Sequence, residues 1–175
     1  MEISARGYVN KDFLWSPSTL SRRMKKPGLK VIDTRPAELF ANGHVSGAKH
    51  FVLYFINTDD TDIAPLRSFT RMWANMLGWR GVRDTDTIVF YGVFTDMCAA
   101  RGFWFLEYLG HKDVHVLDGG IRAWETLGFQ LETTCVTPTP TKFSFKPDIY
   151  CNKACKLDPL GTRNDLFVCI SSLVG

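Results

Sequence analysis

Five cysteines, at positions 98, 135, 151, 155 and 169, are the side chains most capable of covalent chemistry, as nucleophiles or metal ligands. Cys98 has a cation close behind it, Arg101, of the kind that stabilises a thiolate. Its simpler reading is a small, buried core thiol. Cys151 and Cys155 would supply two metal ligands, but a structural zinc needs four. His44, His50, His111 and His115 stand far from that pair at no matching spacing, so no metal site is expected. A Cys-x5-Arg phosphatase pattern is absent, as are Gly-x4-Gly-Lys-Ser/Thr and Gly-x-Gly-x2-Gly. No nucleotide or other cofactor is therefore implied.

Other chemistry-bearing groups fall in two short stretches. In Asp33-x-Arg35-x2-Glu38, Asp33 is placed to accept N–H groups from a neighbouring loop, and Arg35 and Glu38 to form an ion pair. His44, between Gly43 and Val45, suits a hydrogen bond that locks a loop better than a catalytic base. In Asp118-Gly119-Gly120 the glycines permit a tight strand-to-helix turn, and Asp118 reads as a cap rather than a catalyst. Trp124 reads as core.

These residues need elements to hold them. Ser16-Pro17 is an N-cap followed by an N1 proline, opening a helix to about Lys25. The basic run Arg22 to Lys26 then reads as its solvated last turn, stopped by Pro27-Gly28. Strands are expected at Leu29–Asp33, Ala48–Phe51, Thr87–Tyr91 and Asp113–Leu117. Helices are expected at Pro36–Phe40, Ser68–Leu77, Asp96–Leu109 and Gly120–Leu127, with Gly128 ending the last. Strands alternating with helices imply a mostly parallel sheet covered on both faces. Functional groups then gather at the carboxyl ends of the strands. Here those ends are Asp33-Thr34-Arg35, Tyr91-Gly92 and Asp118-Gly119-Gly120, which should share one rim.

After Glu132 the texture changes. Thr133 to Thr141 reads as an extended linker, and Leu166 to Ile170 is the one strand-like run beyond it. The remaining residues are too few to build a core of their own, so they either dock on the first domain or begin a second unit.

Composition narrows the function classes. The chain has 175 residues, 45% hydrophobic and 22% charged, which suits a folded domain and excludes wholesale disorder. A net charge of +3 is too small to argue for nucleic acid. The apolar run Phe51 to Ile56 is far short of the roughly 20 residues a membrane span requires. Met1 to Lys11 has no apolar core of the secretory kind, so reduced thiols and a cytoplasmic location are expected, with mitochondria as the alternative.

Three stretches in register carry a family likeness. They are Asp33-x-Arg35-x2-Glu38-x-Phe40-x2-Gly43-His44-Val45-x-Gly47-Ala48, then Thr87 to Tyr91 leading to Ala99-Ala100-Arg101, then Gly110-His111-x2-Val114-x-Val116-Leu117-Asp118-Gly119-Gly120-x3-Trp124-x3-Gly128. Together, across about residues 8–132, they resemble the rhodanese sulfurtransferases. The likeness is greatest to the amino-terminal domain of tandem thiosulfate or 3-mercaptopyruvate sulfurtransferases. It implies a doubly wound parallel five-stranded sheet with helices on both faces, in a domain spanning 1–132 and followed by a linker and an incomplete or divergent segment, 133–175. It also implies a partner, either a second rhodanese domain or a separate catalytic protein.

In active members the residue directly after the third of these strands is a cysteine, which takes sulfur from the donor as a persulfide. The loop that follows aims its N–H groups at that sulfur. Here the loop is Gly92-Val93-Phe94-Thr95-Asp96, and the resemblance puts Gly92 at the nucleophile's position. No cation in the loop attracts an anionic donor, and Asp96 suits a helix N-cap that opposes one. The expectation is a structural or regulatory domain without the usual nucleophile. One alternative uses Cys98 as the sulfur carrier. Another is a protein-binding module with an aromatic face of Phe94, Phe103 and Trp104. Arg101 is expected to bond loop carbonyls or to meet a second domain.

Overall fold

The structure, a computed structural model, describes residues 11–58, 60 and 62–145. The expected strand at 166–170 and the cysteines at 151, 155 and 169 lie outside the described residues.

After a 3₁₀ turn at Lys11–Phe13, the elements alternate along the chain. They are β1 (Leu14–Trp15), α1 (Pro17–Arg23), β2 (Leu29–Asp33), α2 (Ala37–Asn42), β3 (Lys49–His50), α3 (Ile63–Trp79), β4 (Thr87–Tyr91), α4 (Met97–Tyr108), β5 (Val114–Leu117) and α5 (Gly120–Thr126). One five-stranded sheet results, in the order β1-β5-β4-β2-β3. Every pair is parallel, and β2 runs against β4 from Leu29 opposite Thr87 to Asp33 opposite Tyr91. This is the fold class the pattern and the resemblance imply.

The central strands show why both faces are covered. On β4, Ile88 and Phe90 enter one core, with Trp73 and Leu77 of α3 and Phe103 and Leu106 of α4. Val89 and Tyr91 enter the other, with Leu20 of α1, Phe40 of α2 and Ile121 and Trp124 of α5. Period-two alternation thus sends successive apolar side chains to opposite layers. Each such burial is worth about 1.5–3 kcal/mol.

Several boundaries shift from expectation. β1 completes the sheet with two residues, and Trp15 pairs with Leu117. α3 starts at Ile63 rather than Ser68, because Pro65 falls in its first turn, where the missing N–H is not needed. β3 is shorter than expected, although Phe51 N–H still reaches Asp33 O at 2.8 Å. The α1 expectation holds in detail: Ser16 Oγ accepts from Thr19 N–H at 3.2 Å ahead of Pro17.

Residues 133–145 have no helix or strand. Phe143 is nonetheless buried in the core on the α3–α4 face. Among the described residues no helix is long and apolar enough to cross a membrane.

Candidate functional site

The three strand ends converge on one rim, as their positions in the sequence imply. Thr34 N–H and Oγ1–H both donate to Tyr91 O, each at 3.0 Å. Beside them lies a buried polar knot. Asp33 Oδ1 accepts from Arg35 N–H at 2.9 Å and Arg35 Nε–H at 3.0 Å. Asp33 Oδ2 accepts from Arg35 Nη2 at 2.7 Å and from Tyr91 Oη at 2.6 Å. Arg35 Nη2 also donates to Gly43 O at 2.7 Å, and Tyr91 Oη accepts from Val45 N–H at 3.1 Å.

The expected Arg35–Glu38 pair is therefore corrected: Arg35 pairs with Asp33. Two residues apart at a strand end, those side chains can meet as a two-point fork. Glu38 stays exposed in the first turn of α2, where its charge favours the positive helix end. Burial opposes the Arg35 charge, but the hydrogen bonds and charge of Asp33 outweigh it and raise the Arg35 pKa. Burial, and then the Asp33 charge, push the Tyr91 phenol well above the ordinary tyrosine range. Arg35 thus keeps its charge and Tyr91 its proton at neutral pH, which suits a scaffold more than an acid–base catalyst.

His44 has the loop-locking role. It is buried and stacked on Phe40, with ring centroids 3.9 Å apart, and its Nδ1 lies 2.9 Å from Phe40 O. Its backbone bridges Glu132 in both directions at 2.9 Å. Glu132, which the sequence did not single out, takes Gly47 N–H and Ser46 Oγ–H onto its carboxylate. The Gly47 bond is the main reason its pKa is lowered. Trp124 is core as expected, with Nε1–H donating to Gln130 O at 3.1 Å.

The loop Gly92 to Asp96 forms a cradle between β4 and α4. Asp96 caps α4 through Oδ1, which accepts from Ala99 N–H at 3.1 Å. Its Oδ2 accepts from Val93 N–H at 2.9 Å, so the carboxylate lies back inside its own loop. A Cβ built on Gly92 would fall on that carboxylate. Gly92 is not among the residues with positive φ, so the backbone does not demand glycine there. The Asp96 side chain does.

The outer side of the loop is clamped by α5. Ile121 N–H donates to Gly92 O at 3.0 Å and Arg122 N–H to Val93 O at 3.2 Å. These are N–H groups of a first helical turn, which have no partner within the helix. Gly119 and Gly120, both with positive φ, allow this approach, since a Cβ on Gly120 would stand 2.6 Å from Gly92 O and Phe94 O. Asp118 is corrected from a helix cap. Gly119 occupies that position without a side-chain bond, and Asp118 Oδ1 instead accepts from Thr95 Oγ1 at 3.2 Å. Thr95 Oγ1 in turn accepts from Gly119 N–H at 2.7 Å.

Cys98 sits in the first turn of α4, partly buried. Burial, followed by the charge of Asp96, raises its pKa, and Arg101 lowers it by less. Arg101 is committed elsewhere: its Nη1 donates to Leu53 O at 3.0 Å and Tyr54 O at 2.9 Å, as the loop-carbonyl expectation has it. The aromatic face is corrected in part. Phe103 is core, and Trp104 is partly buried, packed against that core and stacked on Tyr108 of its own helix. Phe94 is 60% exposed, and Tyr54, Phe55 and Met97 are exposed apolar side chains as well. No group of three metal-ligating side chains gathers among the described residues.

Comparison with known families places this geometry. The rhodanese-like domain matches residues 16–127, well over half of the chain. The chain belongs to the rhodanese-like family. A thiosulfate sulfurtransferase of Corynebacterium glutamicum is 31% identical over 134 residues, 75% of this chain and 42% of that protein. A probable 3-mercaptopyruvate sulfurtransferase of Pseudomonas aeruginosa is 29% identical over 77% of this chain and 52% of its own length. The chain thus spans about half the length of these curated relatives. The crystal structure of the 3-mercaptopyruvate sulfotransferase SseA from Escherichia coli shares the fold, with a TM-score of 0.67 at 22% identity over 78% of this chain and 58% of that one. In this rhodanese-like domain the cradle, the Asp33–Arg35–Tyr91 knot and the Thr95–Asp118 brace form one connected rim.

Proposed function

We propose that this chain is a non-catalytic rhodanese-like domain of the thiosulfate or 3-mercaptopyruvate sulfurtransferase kind, acting structurally or as a regulator beside a catalytic partner. One observation carries the reading. The place where a side chain at position 92 would begin is filled by the Asp96 carboxylate, held by Val93 N–H and Ala99 N–H. The cradle has an internal anion and no nucleophile. An anionic sulfur donor meets a negative charge there instead of free N–H groups.

Cys98 is a poor substitute. Its thiol is shifted toward the protonated form by burial and by Asp96, and only the thiolate attacks sulfur. In this reading the nucleophile belongs to a catalytic partner, either a second rhodanese domain or a separate protein. A cytoplasmic setting fits the same reading.

The test is direct. The purified chain is incubated with thiosulfate and cyanide, and thiocyanate is followed by its iron complex. Intact mass is recorded after exposure to thiosulfate or 3-mercaptopyruvate. The expected result is no turnover above the uncatalysed rate and no added sulfur. Sustained turnover, or one sulfur gained at Cys98 and lost in Cys98→Ser, overturns the proposal.

A further inference from the structure

Gly78 lies within α3, one residue before its end, in a position where alanine makes the better helix. Its glycine has a tertiary reason. A Cβ there would run into the carbonyl oxygen of Thr141, and one on Gly81 would stand 2.9 Å from the carbonyl oxygen of Thr139. Two absent side chains open a track, and the backbone around Thr139 to Thr141 lies in it.

Specific bonds hold that backbone down. Thr141 N–H donates to Gly78 O at 2.8 Å, and Thr141 Oγ1 donates to Val82 O at 2.9 Å. Two residues later Phe143 is buried in the same core as Leu77, Val82 and Val114, with its ring 6.0 Å from that of His111. A solvated linker does none of this. Residues 133–137 are exposed throughout, whereas in the strap Pro138 and Thr141 are half-buried and Phe143 is buried, with Thr139, Pro140 and Lys142 facing outward between these anchors.

We infer that residues 138–143 are an integral strap of the domain, seated on a track that Gly78 and Gly81 keep open and anchored in the core by Phe143, with Phe145 packed on the same core. The match to the family model ends at residue 127, so the strap lies outside the residues that match it. It also fixes a direction. The strap meets the end of α3, the approach to β4 and the approach to β5, which is the end of the sheet opposite the cradle. The five residues of β4 separate the two ends by roughly 17 Å. A unit joined after the strap is therefore tethered at the far end from Phe94 and Met97, and reaches that rim only by returning along the sheet.

Hydrogen exchange on the full chain, read at single amides, tests this. The Thr141 amide should exchange at least about 100-fold more slowly than an unstructured one, while the amides of Thr133 to Thr137 exchange near the free rate. Gly78→Ala should lose the Thr141 protection and lower Tm, although helix preference alone predicts a rise. Thr141→Val keeps the backbone bond and should reduce protection by less. An unprotected Thr141 in the unmodified chain overturns the proposal, whether or not the variants fold. A higher Tm for Gly78→Ala overturns it too.

Discussion

Restoring a thiol at position 92 should not by itself restore sulfur chemistry. In Gly92→Cys the new Cβ falls on the Asp96 carboxylate, so either the loop or Asp96 must give way. If Asp96 swings out, the bonds from Val93 N–H and Ala99 N–H are lost. A lost N-cap costs about 1 kcal/mol, and a hydrogen bond to a charged group is worth about 1.5–3 kcal/mol. If Asp96 stays, a thiolate at about 4 Å from it meets a repulsion of roughly 4 kcal/mol at an effective dielectric near 20. That corresponds to about a thousandfold less thiolate. Gly92→Cys combined with Asp96→Gly removes both the clash and the charge. Glycine as N-cap costs only a few tenths of a kcal/mol. The double variant should therefore form persulfide from thiosulfate about 100- to 1000-fold faster than the single one. Intact mass over time, together with thiocyanate production, reads this ratio. A single variant as fast as the double one refutes the claim that Asp96 closes the cradle.

Three further outcomes follow from the rim. Arg35→Ala leaves the Asp33 carboxylate buried without its cation and should lower stability by about 3–5 kcal/mol in urea unfolding; a loss below about 1 kcal/mol would show that the knot contributes little. The folded state holds the Tyr91 proton more tightly than the unfolded state does. Its contribution is therefore complete below the unfolded value near ~10 and declines as pH rises above it. The urea midpoint should fall less between pH 9 and 11, two conditions set at about one unit either side of that value, in Tyr91→Phe than in the unmodified chain, and equal falls would count against the assignment. Iodoacetamide should modify exposed Cys135 well before Cys98, and Asp96→Asn should speed Cys98 by removing the negative charge that raises its pKa. Peptide mapping reads both rates, and an unchanged Cys98 rate would show that burial alone controls the thiol.

Much of this is legible in the sequence. Thr87 to Tyr91 announces a buried strand by residue type, and Ser16-Pro17 announces a helix start by local hydrogen bonding. Such signals lie within a few residues of one another. β1 gave no such signal, since two residues have no periodicity and become a strand only beside β5. The sequence placed Tyr91 at a strand end on the common rim, with no partner named for its hydroxyl. Which partner depended on Asp33, 58 residues away. Glu132 offered no hint, because its role comes from His44, Ser46 and Gly47 on another part of the chain.

The cradle divides in the same way. The sequence by itself determined that position 92 carries no side chain, that Asp96 suits a helix cap, and that no cation sits between them. Only the tertiary structure decided that the Asp96 carboxylate turns back into its loop, that α5 clamps the loop from outside, and that Arg35 chooses Asp33 over Glu38. The physical reason is that a cap or a strand is a local balance of backbone bonds and sterics. The direction of a buried charge depends on every donor within reach, and the fold brings those donors from distant parts of the chain.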